Sequence, residues 1–110
     1  MITCLVLSGC LLTVTPTATR AADTIGERIA TCANEALEPL CLLALGDEAK
    51  IAVDEGDACI PQSVSVEAAA AAALAYLRDE LRMHPERAGN NEEDEEVRAF
   101  ATLWPCPKVP

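Results

Sequence analysis

The chain has 110 residues, with 18 Asp and Glu against 8 Lys and Arg, a formal net charge of −10, six cysteines and one histidine. That balance argues against nucleic-acid binding, which needs basic side chains to neutralise phosphates, and against attraction to anionic membrane surfaces, while leaving room for a basic protein partner. The length sets a single domain with a modest core, a size at which covalent staples matter.

Residues 1–21 read as an export signal. Ile2 to Val14 is mostly apolar, Pro16 breaks the run, and Thr19-Arg20-Ala21 supplies small residues at −3 and −1 of a cleavage site after Ala21, although no Lys or Arg precedes the run. The run is shorter than the roughly 20 apolar residues that a bilayer-spanning helix needs. Leu7-Ser8-Gly9-Cys10 resembles a lipoprotein lipobox. The alternative to a soluble exported protein is therefore a lipid anchor on Cys10, the one case in which a membrane becomes a partner. Cys4 and Cys10 belong to targeting on either reading, and residues 22–110 form the domain.

Four cysteines remain there: Cys32, Cys41, Cys59 and Cys106. In a short exported chain they favour disulfides over metal. Zinc would want a Cys-x-x-Cys pair or neighbouring histidines, and the sequence has neither. No metal or cofactor is expected.

Thr24-Ile25-Gly26-Glu27 has the spacing of a capping box, and Ile25, Ile29, Cys32 and Ala33 then share a helical face that Leu37 extends. Glu38-Pro39 is expected to end this helix, because proline disfavours helical geometry in the residue before it. A second helix is expected from Leu40 to about Glu55, with a stripe at Leu40, Cys41, Ala44, Leu45, Ala49, Ala52 and Val53. Gly46 interrupts it at a cost of about 1 kcal/mol relative to Ala, and Gly56 stops it.

Cys59-Ile60-Pro61-Gln62 reads as a connector, with Ser65 as the next N-cap. Val66 to Met83 is the longest uninterrupted helical pattern, striped at Ala70, Ala73, Leu74, Leu77 and Leu81, and it ends at His84-Pro85. After a polar loop from Glu86 to Asn90, Asn91 caps a last helix whose expected buried face is Val97, Phe100, Ala101 and Trp104. No alternating β-pattern follows the signal. The expected fold is all-α: a small disulfide-stapled four-helix domain with up-and-down packing.

Helix geometry ranks the three ways to pair four cysteines. A helix from Leu40 to Glu55 carries the chain about 20 Å along its axis. The four steps back to Cys59 recover at most about 14 Å. Cys41 and Cys59 then stay beyond the roughly 7 Å Cα limit of a disulfide. Cys32 with Cys41 at one end, and Cys59 with Cys106 at the other, is the expected connectivity.

The acidic stretch Asn90, Asn91, Glu92, Glu93, Asp94, Glu95 and Glu96 has two readings. The simpler is a solvated helix start favoured by the helix dipole. The other is a charged edge that steers toward a basic cleft on a partner. His84 reads as a C-terminal helix residue rather than a catalytic base, since no accompanying nucleophile stands out. Tyr76 and Trp104 read as packing residues, and the Ala68–Ala73 run as a site of close helix packing or, alternatively, a homodimer seam.

Taken together, Cys32, Cys41 with Gly46, Cys59-Ile60-Pro61, Ser65 with Glu67, Tyr76-Leu77, His84-Pro85-Glu86 and Trp104-Pro105-Cys106 run in one order through most of residues 22–110. In that order the chain resembles the Rap/Tai family, the immunity proteins against type VI secretion peptidoglycan amidases. It departs from the family at Leu42-Leu43-Ala44-Leu45, where a glycine–aromatic pair is common, and in the acidic run after His84-Pro85. The resemblance implies a small helical periplasmic protein, not an enzyme, that binds and blocks a toxic amidase by obstructing its substrate cleft. From a different class, the alternative is a periplasmic stress protein with chaperone-like action, whose carboxylates would protonate in acid and expose apolar surface.

Overall fold

A computed structural model describes residues 23–108; the export segment with Cys4, Cys10 and the cleavage site lies outside the described residues. The described chain forms four α-helices: α1 (Ile25–Cys32), α2 (Glu38–Asp54), α3 (Val66–Met83) and α4 (Glu92–Leu103). A 3-10 turn, Pro85–Gly89, joins α3 to α4. Among the described residues there is no β-sheet, only one isolated antiparallel bridge between Thr24 and Asn91. The expected all-α, disulfide-stapled four-helix domain is what the chain forms.

Local chemistry sets three of the helix starts. Thr24 closes both arms of a capping box with Glu27. The Ser65 hydroxyl accepts from the Ala68 N–H at 3.0 Å, and the Asn91 side chain accepts from Asp94 N–H at 3.0 Å. The two N-caps Thr24 and Asn91 lie side by side, with Ile25 N–H donating to Asn90 O and Glu92 N–H to Asp23 O. Helices α1 and α4 therefore begin at the same end of the molecule.

α1 is shorter than expected. It stops at Cys32 instead of reaching Glu38, and Leu37, placed by periodicity on its apolar face, is exposed. The cause is Asn34. Its side chain accepts from Ala36 N–H, while its carbonyl accepts from Leu37 and Glu38 N–H, folding the chain into a turn. Pro39 then opens α2 from its first turn, where a missing N–H costs nothing. A helix continued from Cys32 to Cys41 would hold their Cα atoms about 13 Å apart; the turn brings them to 5.4 Å and the disulfide closes.

α2 buries Cys41, Leu45, Gly46, Ala49 and Ala52. Leu40 and Val53, expected in the same stripe, lie one step round the helix and face outward; Leu40 is 64% exposed. Gly46 has a packing role that periodicity did not show. A Cβ there would stand 2.8 Å from Val66 Cγ1, so glycine lets α2 approach the start of α3. Gly56, at φ +79°, supplies the left-handed stop after α2.

α3 packs Ala69, Ala70, Ala73, Leu74 and Leu77 inward, which uses much of the alanine run inside the domain. α4 turns a different face from the expected one. Phe100 is fully buried, but Val97, Ala101 and Trp104 are only partly so, and the inward positions are Glu95, Glu96, Ala99 and Phe100. Phe100, Ile25, Leu45 and Leu77 are the largest wholly buried apolar side chains, and the Trp104 ring lies 6.5 Å from the Phe100 ring.

The second disulfide, Cys59–Cys106, ties the α2–α3 connector to the segment after α4, with Cα atoms 4.9 Å apart. Cys59 N–H donates to Trp104 O alongside it. Both bridges follow the pairing that helix geometry favoured. Two disulfides in so short a chain suit an oxidising compartment, periplasmic or extracellular. No helix among the described residues is long and apolar enough to cross a membrane.

Candidate functional site

The acidic start of α4 is mostly spoken for within the molecule. Asn91 is the N-cap. Asn90 donates its side-chain N–H to Glu95 Oε2 at 2.8 Å, and Arg87 Nη2 donates to Glu95 Oε1 at 2.7 Å. The other arm of Arg87 reaches Glu80 Oε1 of α3 at 2.7 Å. One guanidinium on the 3-10 turn thus joins α3 to α4. Burial pushes the Glu95 carboxyl up, but hydrogen bonds from Asn90 and Arg87, with the Arg87 and Arg98 charges, outweigh it and hold the group below the usual carboxylate range.

Glu92 is engaged from α1. Arg28 Nη2 donates to its Oε1 at 2.7 Å and Nε to its Oε2 at 3.1 Å, a two-pronged pair that fits the guanidinium fork. The hydrogen bond to Glu92 raises the Arg28 pKa, although burial opposes it. Glu96, 2% exposed, sits behind this pair with its Oε2 3.4 Å from Arg28 Nε.

The solvated reading therefore fails for Glu95 and Glu96, which are buried, and for Glu92, which is paired. Of the five carboxylates, only Glu93 and Asp94 are exposed and make no ion pair among the described residues. They do not stand alone. With Glu48 of α2, its C-cap Glu55 and Asp57 beyond it, they line a shallow groove between α2 and α4 together with Ile51 and Val97. Five acidic side chains with two apolar ones, and no basic residue in the lining among the described residues, can attract a basic surface and then bury a small apolar contact.

The four cysteines stand as two disulfides and leave no thiol among them for nucleophilic or metal chemistry. His84 caps the C-terminus of α3 and lies 3.6 Å from Glu86 on an exposed flank. Sequence reasoning missed Arg28, Arg87, Glu48 and Glu80. The Arg28–Glu92 pair spans 64 positions and has no local signal; Arg87 carried a weaker hint, as a cation placed just before a run of acids.

Comparison of the chain with protein-family models, with curated proteins and with solved structures returned no match to any of the three.

Proposed function

We propose that the chain is a periplasmic immunity protein that binds and inhibits a type VI secreted peptidoglycan amidase. The observation that carries this reading is the groove between α2 and α4, lined by five carboxylates together with Ile51 and Val97. Such a surface is complementary to a basic, substrate-binding cleft, and its rigidity comes from helices clamped by two disulfides. The Rap/Tai resemblance read from the sequence points the same way. The docking residues on this reading narrow from the whole run Asn90–Glu96 to Glu93 and Asp94, joined by Glu48, Glu55 and Asp57.

The test is co-expression in the periplasm with each Cys/His peptidoglycan amidase encoded beside this chain. Protection from lysis by at least one is the expected result. Lysis that proceeds equally with and without the chain, for every such amidase, removes the proposal.

One observation favours the chaperone-like alternative: Leu37, Leu40 and Leu43 are exposed along the outer side of the α1–α2 turn and α2. On that reading the chain would suppress aggregation of an unfolded client at low pH. Absence of such protection at any pH where the chain stays folded removes it.

A further inference from the structure

Glu96 and Glu48 share an unusual condition. The Oε2 atom of each is buried and has no hydrogen-bond partner among the described residues. Glu96 projects from α4 and Glu48 from α2, and the two helices pack against each other. The Oε2 of Glu96 lies 3.4 Å from Arg28 Nε yet receives no hydrogen bond, because that N–H is directed at Glu92. An ionised carboxylate oxygen held away from water without a donor is costly; a protonated one loses the charge and gains a donor of its own.

Among the described residues the surroundings offer no second cation. From α1, Arg28 is committed to Glu92. From the 3-10 turn, Arg87 is committed to Glu95 and to Glu80 of α3. On α4 itself Glu92 and Glu93 add negative charge, and from α2 Glu48 does the same, with Glu55 beside it. Burial pushes Glu96 up to about 7 against the opposing pull of Arg28, and burial pushes Glu48 up too.

We propose that Glu96, buried on α4 where it packs against α2, works as a proton-operated clasp on that seam, closed when Glu96 is neutral and weakened when it and Glu48 of α2 are both charged. The sign follows from linkage. A carboxyl raised in the folded chain contributes stability that is complete below its ordinary value of 4.5 and is lost as the pH climbs through about 7. Mild acid therefore tightens this seam. The clasp operates in the chain alone, with no partner on the acidic groove that Glu48 also lines, and it opposes the loosening that the chaperone-like alternative needs.

Thermal unfolding of the oxidised chain from pH 5 to pH 8.5 tests it, for the wild type, Glu96→Gln and Asp94→Asn. Gln keeps the shape of the neutral acid, whereas Asp94→Asn removes one charge from the exposed side of the same turn. The wild-type midpoint should fall across this range. Glu96→Gln should flatten the fall and unfold roughly 5 °C or more above wild type at pH 8, while Asp94→Asn should run parallel to wild type. A Glu96→Gln profile parallel to wild type, or an Asp94→Asn profile as flat as that of Glu96→Gln, overturns the clasp. Side-chain carboxyl NMR of the unmodified chain gives a second readout: one glutamate should titrate near neutrality, and finding every carboxyl titrating below pH 5.5 also overturns it.

Discussion

Arg28 in α1 and Glu92 in the first turn of α4 stand 64 positions apart in sequence and meet at 2.7 Å. The same guanidinium lies 3.4 Å from Glu96, so one cation from α1 serves two carboxylates on α4. Replacing Arg28 with Met keeps much of the stem and removes the charge. It should destabilise the chain by about 2–3 kcal/mol at pH 7.5, because Glu92 and Glu96 lose their cation, and by visibly less at pH 5. Denaturant unfolding at both pH values checks this; an equal loss at both would mean that Arg28 acts by packing alone.

Glu95 should respond to pH in the opposite direction from its neighbour Glu96. Its folded carboxyl is held below the usual range, so its contribution is present above the ordinary value of 4.5 and is lost as the pH falls below it. Glu95→Gln should lower the unfolding midpoint at pH 7 and converge on wild type near pH 3. A deficit that persists undiminished at pH 3 would contradict the assignment.

Gly46→Ala should destabilise by about 1–3 kcal/mol despite the better helix propensity of alanine. Its Cβ would stand 2.8 Å from Val66 Cγ1 and push α2 from α3. Pairing it with Val66→Ala should recover most of the loss, which equilibrium unfolding of the double variant will report.

These cases show where sequence patterning was sufficient. α3 was bounded at Val66 and Met83 because Ser65 caps it, Pro85 follows it, and nothing within breaks the period. The disulfide partners were legible because helix length separates Cys41 from Cys59, and up-and-down packing puts Cys32 with Cys41 at one end and Cys59 with Cys106 at the other. Patterning failed where a polar group does what an apolar one usually does. Glu95 and Glu96 turn inward because Arg87, Asn90 and Arg28 meet them there, which rotates the buried face of α4 away from Val97 and Ala101. Leu37 and Leu40 follow the apolar period yet face out, because the Asn34 turn ends one helix and begins another. In the acidic run, composition showed the charge but not which carboxylates remain available to a partner.

If the groove between α2 and α4 is the docking edge, reversing its free charges should weaken association without unfolding the domain. Glu93→Lys with Asp94→Lys should slow association with the cognate amidase by about tenfold at low salt, with a smaller effect at high salt. Surface plasmon resonance across a salt series would show it, and an unchanged association rate would shift attention to the exposed Leu40 and Leu43.

Each staple should carry a large share of stability. On loop closure, Cys59–Cys106, 47 positions apart, is worth about 4 kcal/mol, and Cys32–Cys41, 9 positions apart, about 2.7 kcal/mol. The paired serine variants should lose stability in that order. A full reductant that leaves the melting temperature unchanged while freeing the thiols would contradict this.

The frame on which all of this depends is read most directly by peptide mapping of the protein, recovered from its native envelope and digested without reductant. Cross-linked peptides joining Cys32 to Cys41 and Cys59 to Cys106 are the predicted result. Four unoxidised thiols, or a bridge from Cys41 to Cys59, would contradict it.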